Sequence, residues 1–237
     1  MTVRQLLARR LPSRIPDVLA LMRALEEALP RDDGVTAFLR LYRAVTEAVE
    51  QAVRPGGAYA DPRFVRWLDV VFANFFFRAL RDATAGRSGV PRAWRPLIEA
   101  RARPGVLPIQ FALAGMNAHI NRDLPHALVQ TWAALDLEPG RAGPQHDDFT
   151  RLNLLLEETE AGVKTELAVG ALGHVERSLG RVDDVIAMWK VGNAREAAWV
   201  NAETLWALRG APGLRAEYAA ALDGMVGFAG RGLLRPL

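Results

Sequence analysis

Apolar side chains recur every three or four positions along most of this 237-residue chain, which is the spacing of amphipathic helices. Short clusters of proline, glycine and aspartate separate these stretches and predict the turns. No run alternates apolar and polar residues as a strand would. The predicted helices span 15–29, 35–52, 63–85, 111–123, 127–137, 147–180, 183–190, 194–209 and 214–228. We therefore expect one all-α domain over residues 1–237, a bundle of about eight helices in which residues 1–14 are either packed or a flexible arm.

The helix predicted over 63–85 is expected at the centre of the domain. Asp61-Pro62 has the form of an N-cap followed by a first-turn proline, and the helix is apolar on nearly every side. Asp69 and Asn74 are its polar exceptions. Buried polar groups are costly unless paired, so both belong either to a structural network or to a functional site. In a site, Asn74 and the adjacent Phe75 would contact the substrate.

Residues 86–108 are rich in proline, glycine and arginine and predict a long irregular connection with one short helix over 97–101. Ordered connections of this length often form the lids or walls of functional sites. The connection also holds the densest basic stretch of the chain, from Arg92 to Arg103, with Trp94 in it. A solvated surface is favoured over a nucleic-acid patch, because the arginines of the chain are spread among similar numbers of carboxylates.

The helix predicted over 111–123 carries the most informative residues. Its apolar run is interrupted by Asn117, His119, Asn121, Arg122 and Asp123. His119, Asp123 and His126 are spaced four and three residues apart, so on a continuous helix they would share one face, as the ligands of a metal site do. Pro125 argues against this face, because it lacks a backbone N–H and is expected to end or kink the helix.

The two central residues of this motif each have two interpretations. Asp123 either caps the following helix or supports a site. His119 is either a hydrogen-bonded core histidine or an acid–base group or metal ligand, with Asn117 and Asn121 as substrate contacts. Imidazole and carboxylate suit zinc, iron or manganese, and His146 is the third candidate ligand. The sequence does not decide between such a metal and no cofactor.

A second group of polar residues is predicted on the helix after Asn193, which with Glu196 resembles a capping box. Arg195, Trp199 and Glu203 share a face of this helix, so a guanidinium and a carboxylate flank an indole. In a site, the indole of Trp199 would contact the substrate. Glu203 is either a buried acid or base, or one half of a structural Arg–Glu network.

Glu166 and His174 could join His119 in a carboxylate-rich bundle site, because both would point inward on a straight helix. The doubled Glu-x-x-His motif of that class is absent, which favours a surface position for the pair.

Composition excludes several classes of protein. The chain has no cysteine, which excludes disulfides, thiolate nucleophiles and Cys-ligated metals and favours the cytoplasm. It lacks a Walker A loop, a dinucleotide-binding glycine motif, His-Glu-x-x-His and Gly-x-Ser-x-Gly. The longest uncharged run, 105–121, is too short and too polar to span a bilayer. We therefore expect neither a membrane nor a nucleic acid as partner.

A resemblance to a known family runs from about Ile15 to the C-terminus. The segments that carry it are 68–74, 108–124, 194–206 and 232–236. They are similar to an uncharacterised bacterial family catalogued as domain of unknown function 5995. The resemblance implies a helical fold and brings no established activity. The family more often has an apolar residue at position 126, which weakens His126 as a ligand. The positions that match the family's motifs are Asp69, Asn74, Asn117, His119, Asn121, Asp123, His146, Asp148, Asn153, Arg195, Trp199 and Glu203.

The leading hypothesis is an enzyme of specialised metabolism that acts on a small, largely apolar metabolite. His119 is its acid–base group or metal ligand, supported by Asp69, Asp123, Glu203 and Arg195. Cofactor-free cyclisation or hydrolysis and metal-dependent chemistry are both open, as is a homodimer. The alternative is a non-catalytic small-molecule-binding or scaffold protein whose polar residues form a structural network. A pocket that reaches His119 would favour a site, and a solid core would favour the network.

Overall fold

The computed structural model describes residues 1–54, 57, 59–156 and 191–236, and within these ranges every regular element is a helix. In chain order the helices are α1 (Val3–Leu7), α2 (Ile15–Ala28), α3 (Gly34–Ala52), α4 (Pro62–Thr84), α5 (Arg95–Ala100), α6 (Pro108–Ala118), α7 (Leu124–Leu135), α8 (144–156), α9 (Val191–Ala207) and α10 (Pro212–Leu233). A π-helical turn, His119–Asp123, joins α6 to α7, and a 3₁₀ turn, Leu208–Gly210, precedes α10. The predicted all-α class is confirmed. None of the described helices combines the length and hydropathy needed to cross a bilayer.

The starts of α3 and α4 are fixed by aspartate caps. Asp61 accepts a hydrogen bond from the backbone N–H of Phe64 at 3.1 Å, and the proline that follows it occupies the first turn, as predicted. Asp33 accepts from the N–H of Val35 at 2.8 Å. Each cap satisfies one of the N–H groups that a helix start leaves unpaired.

Of the two outcomes predicted for Pro125, an end or a kink of the helix, the structure excludes the end. The helix widens into the π-helical turn, where the N–H of Leu124 donates to the carbonyl of His119 five residues back. This offset of the hydrogen-bond register accommodates the proline ring and its missing N–H in the first turn of α7. The helices α6 and α7 therefore continue through the central motif.

Two further helix predictions differ from the structure. Asn193 does not open a helix, because it lies inside α9. The last helix continues past Phe228 to Leu233, since glycines near its end do not interrupt it. The helix predicted over 183–190 and most of that over 147–180 lie outside the described residues, as do Glu166 and His174.

The central position predicted for α4 agrees with its burial, because Phe64, Phe76 and Phe77 are at most 1% exposed. The N-terminal residues pack against the rest of the core. Leu6 and Leu7 of α1 are buried, and Asn74 of α4 donates its amide N–H to the carbonyl of Pro12 at 3.0 Å. Residues 1–14 therefore lie on the protein instead of extending from it.

The long connection after α4 forms an ordered wall. The indole of Trp94 is 1% exposed, so this segment supplies part of the core. Asp223 of α10 accepts hydrogen bonds from the backbone N–H groups of Arg92 and Ala93 at 2.8 and 3.0 Å. The connection is thus held between the core and the last helix.

The helices α3 and α6 approach closely because glycines lie at their crossing. A Cβ at Gly115 would lie 2.4 Å from the ring of Phe38, and a Cβ at Gly34 would lie 2.5 Å from the ring of Phe111. This packing holds the side chains of α3 against the segment that carries the central motif.

The contact at Gly115 predicts a cost for any larger residue. In Gly115→Ala the new Cβ would overlap the ring of Phe38, so the free energy of unfolding should fall by about 1–3 kcal/mol, although alanine favours a helix. Urea denaturation measures the change. The matched control is Gly213→Ala in α10, where a Cβ meets no atom within 4 Å and should be neutral or stabilising. Equal stability of the two variants would contradict this packing.

Candidate functional site

An apolar cavity of about 70 Å³ lies beside the central motif, which is room for several waters or part of a small molecule. It is bounded by α3, α4, α6, the π-helical turn, α8 and α9. Among the described residues sixteen line it, of which twelve are apolar and the other four are Tyr42, Asp69, His119 and Arg195. Apolar cavities with a few convergent polar groups are the usual form of small-molecule sites.

His119 lies at the wall of this cavity, 2% exposed. Its ring stacks on that of Phe72 with the centroids 3.5 Å apart and the planes 6° from parallel. The ring of Tyr42 meets it edge-on with the centroids 4.4 Å apart. The aromatic neighbours therefore fix the plane of the imidazole.

Asp123 fixes the protonation of that imidazole. It is fully buried, and Trp94 Nε1 and Arg122 donate hydrogen bonds to its two oxygens at 2.9 and 2.7 Å. His119 Nδ1 lies 3.1 Å from the oxygen that Trp94 also contacts. Burial alone would raise the pKa of Asp123, but the His119 hydrogen bond and the charge of Arg122 outweigh it and hold the pKa below its ordinary value. An ionised carboxylate only accepts, so Nδ1 carries the proton and Nε2 has the lone pair.

The second nitrogen of His119 is left without a partner. Nε2 is buried and makes no hydrogen bond to any described residue. Burial lowers the pKa of His119 below 6.5, and the hydrogen bond and charge of Asp123 only partly oppose this. The imidazole is therefore neutral at pH 7 and presents an unpaired lone pair.

Two more unpartnered polar atoms belong to residues of the cavity wall. Within the described part of the chain Oδ2 of Asp69 makes no hydrogen bond, and the hydroxyl of Tyr42 has no well-formed one, although the side chain of Thr46 lies close enough to lower the pKa of Tyr42. Burial, with the charge of Glu50, raises the pKa of Asp69 to about 7, and Arg195 opposes the rise. Burial and the charges of Asp69 and Asp123 raise the pKa of Tyr42 well above its usual range. At neutral pH Tyr42 therefore holds its proton and Asp69 holds one part of the time.

Arg195 is a cavity residue that is held firmly in place. Its Nε donates to Asn153 at 2.6 Å, and its guanidinium lies 4.2 Å from the centroid of the Phe149 ring. It is 5% exposed, so it brings a buried positive charge to the end of the cavity near α9.

The asparagines predicted as substrate contacts bind other parts of the protein. Asn117 donates to the carbonyl of Val226 in α10 at 2.9 Å, and its own oxygen accepts from Asn121 at 3.1 Å. Asn74 holds the N-terminal segment. Phe75 lies beside Arg122, with the guanidinium 5.7 Å from its ring centroid. None of these four residues lines the cavity.

Trp199 and Glu203 lie in a separate cluster. The indole of Trp199 is fully buried and donates to Glu203 at 3.1 Å, while His146 meets the same indole edge-on. Glu203 also lies 3.7 Å from Arg141. The structure thus gives Glu203 two structural partners and places both Glu203 and Trp199, the remaining predicted substrate contact, outside the lining of the cavity.

The candidate metal ligands are not brought together. No three His, Asp or Glu side chains in the described ranges form a group that could hold a metal ion. His146 lies in the Trp199 cluster, 3.4 Å from Glu196, and Asp123 is occupied by its three donors. His126 donates from Nδ1 to the carbonyl of Arg122 at 2.8 Å and does not line the cavity.

Sequence reasoning missed Tyr42 and Phe72 as site residues. Both follow the apolar periodicity of their helices, so the spacing of apolar positions does not separate them from core residues. Their proximity to His119 depends on how α3 and α4 pack, although the hydroxyl of Tyr42 on an otherwise buried face was a usable signal.

The fold and the cavity define an all-α protein with a buried His–Asp pair beside an apolar pocket. The sequence matches the model of a family of unknown function, DUF5995, over residues 15–236, and the chain belongs to this family. Searches of the curated proteins and of the solved structures returned no match. Family membership carries no activity, so the function is argued from the site.

The raised pKa of Asp69 predicts a pH dependence of stability. Because its pKa moves from 3.8 to about 7 on folding, the folded state retains a proton that the unfolded state loses in this range. The proton on Asp69 therefore makes its full contribution to the free energy of unfolding below the unfolded pKa of 3.8. This contribution is lost as the pH rises through the folded pKa of about 7. Asp69→Asn removes the titration. The free energy of unfolding of the variant, relative to the wild type, should rise by on the order of a few kcal/mol between about pH 4 and about pH 8.

Urea denaturation across this pH range measures that difference. The control is Asp82→Asn, because Asp82 is a partly exposed carboxylate at the end of α4 that pairs with Arg87. A difference for Asp69→Asn that does not change with pH would contradict the raised pKa.

Proposed function

We propose that this protein is an enzyme that binds a small, largely apolar, uncharged molecule and transfers protons to and from it. The observation that supports this is the set of three buried polar atoms, on Tyr42, Asp69 and His119, that make no well-formed hydrogen bond to any described residue and belong to the wall of one apolar cavity. An unpaired buried polar group costs about 1–3 kcal/mol, so three in one place are expected where a ligand supplies the partners.

His119 is the general base in this proposal. Asp123 holds its proton on Nδ1, and Nε2 is therefore free to accept a proton from the substrate. The imidazolium that forms is stabilised by the ionised carboxylate behind it. Phe72 and Tyr42 hold the ring in one orientation, which saves the free energy of ordering it during the reaction.

Asp69 and Tyr42 are the proton and hydrogen-bond donors. A carboxyl group with a pKa of about 7 is protonated part of the time at neutral pH and can donate to an oxygen on which charge develops. When the surroundings of two titratable groups move their pKa values apart, the group that keeps its proton can act as the acid and the other as the base. Proton removal at His119 and donation at Asp69 fit the cofactor-free classes of reaction, cyclisation and hydrolysis.

The second candidate function is a non-catalytic binding protein. The contacts of Asp123 favour it, because they join the π-helical turn to the long connection and would stabilise the core without any chemistry. Binding and catalysis use the same cavity, so separate measurements are needed for each.

Ligand binding is tested with phenol and toluene, which differ by one hydroxyl. Phenol should raise the Tm more than toluene at equal concentration, because its hydroxyl can pair with atoms that otherwise stay unsatisfied. Asp69→Asn, which keeps the shape of the side chain, should change the response to phenol more than the response to toluene. Equal responses to the two compounds in the wild type would contradict a polar site in this cavity.

Catalysis is tested with 5-nitrobenzisoxazole, whose ring opens when a base removes its C3 proton. The electrons of the C–H bond form the nitrile, the N–O bond breaks, and a coloured phenolate is released. His119→Gln should lower kcat/KM by about 100-fold, because a general base contributes in this range. The wild-type rate should rise along a titration centred below pH 6.5, and Asp123→Asn should move this titration to lower pH.

The matched control is His126→Gln, which changes a histidine outside the cavity and should leave the rate unchanged. Circular dichroism and the Tm show whether each variant is folded. Preferential phenol binding without any His119-dependent ring opening would support the binding protein and refute the enzyme.

A further inference from the structure

The outer face of α10 carries an exposed apolar stripe. Leu214, Met225 and Phe228 are 59%, 64% and 75% exposed, and they are three of the seven large hydrophobic side chains that the described residues expose. The opposite face, with Leu222 and Val226, is buried against the core. Exposed apolar residues concentrated on one helix face indicate an interaction surface.

The stripe has the spacing of a two-helix interface. Its positions are 214, 218, 221, 225, 228 and 232, and the steps between them alternate between four and three residues. This is the order of the d and a positions of a heptad repeat. Large side chains share the stripe with small ones at Ala221 and Gly232. A helix with the same spacing would fit it.

We propose that α10 pairs with α10 of a second copy of this chain, antiparallel, about a twofold axis near residue 223. In this register Met225 lies against Ala221 of the partner subunit, and Leu214 lies against Gly232 of the partner subunit. Tyr218 is half-buried and donates its hydroxyl to Asn201, and the exposed part of its ring meets Phe228 of the partner subunit. Every layer therefore joins a large residue to a small one or two aromatic rings, and each contact occurs twice, as a twofold interface requires.

The charges beside the stripe identify the partner as a second copy. Glu217 and Arg231 are exposed, each precedes an a position of the repeat, and neither forms an ion pair with a described residue. In the antiparallel register Glu217 faces Arg231 of the partner subunit, and the twofold axis forms this pair twice. A parallel pairing would place Glu217 beside Leu222 of the partner subunit, which offers no charge. The pairing of large with small side chains and the pairing of opposite charges both favour the antiparallel dimer.

Sedimentation velocity of the full chain tests the association. The wild type should form a dimer at micromolar concentration, and Phe228→Glu should weaken it at least tenfold. Glu217→Arg and Arg231→Glu, each alone, should weaken it by about three- to tenfold, because each places like charges together twice. The double variant should restore the wild-type association to within about twofold, since it re-forms both pairs. Arg215→Glu is the control, because its position faces Ala229 of the partner subunit.

Cross-linking tests the orientation, since the chain has no cysteine of its own. Ala221→Cys lies near the axis and should cross-link efficiently with a short bis-maleimide. Gly213→Cys, where a Cβ meets no atom within 4 Å, lies roughly 30 Å from its counterpart in an antiparallel pair and should not cross-link.

Three results would overturn the proposal. They are a wild-type monomer at all accessible concentrations, a double charge variant that associates more weakly than either single variant, and equal cross-linking at positions 213 and 221. Phe228 lies on the exposed face, so its replacement leaves the core intact and keeps the test interpretable.

Discussion

The buried carboxylate of Asp123 is the group on which both the fold and the candidate site depend. It is fully excluded from solvent, and an uncompensated charge there would cost several kcal/mol. Trp94, His119 and Arg122 compensate it with hydrogen bonds from the long connection and from the π-helical turn. The contacts that make this charge tolerable also orient the imidazole of His119, so structural and chemical roles coincide in one group.

Asp69 is a second buried carboxyl group, and its charge is not compensated as that of Asp123 is. It is also buried, but Oδ2 has no hydrogen-bond donor within the described ranges, and its pKa rises to about 7 where that of Asp123 falls. Two carboxyl groups of equal intrinsic acidity thus differ in charge at neutral pH because one has donors around it. The difference is a property of packing, and it separates a carboxylate that is ionised at neutral pH from a carboxyl group that is protonated part of the time.

Local sequence signals were sufficient for most of the fold and for part of the site. Proline and aspartate set the starts of α3 and α4, and the apolar spacing gave the helices, because these signals act within one turn. The polar interruption at positions 117–123 singled out His119 and Asp123 as candidate residues, but the hydrogen bond that pairs them was not predicted. The π-helical turn could not be predicted, since Pro125 is compatible with a kink, a break or a widened turn. The position of Tyr42 and Phe72 beside His119 could not be predicted either, because it depends on contacts between helices distant in sequence.

The last helix connects the candidate site to the exposed stripe. On its inner face Asp223 lies 3.7 Å from Arg122, and the carbonyl of Val226 accepts the hydrogen bond of Asn117, so α10 supports the π-helical turn from behind. On its outer face the same helix carries the stripe, including Met225 and Phe228. A ligand bound beside His119 and a second copy bound at α10 would therefore both contact the same group of packed helices. Because such coupling is reciprocal, any gain in ligand affinity on dimerisation must equal the gain in dimer affinity on ligand binding.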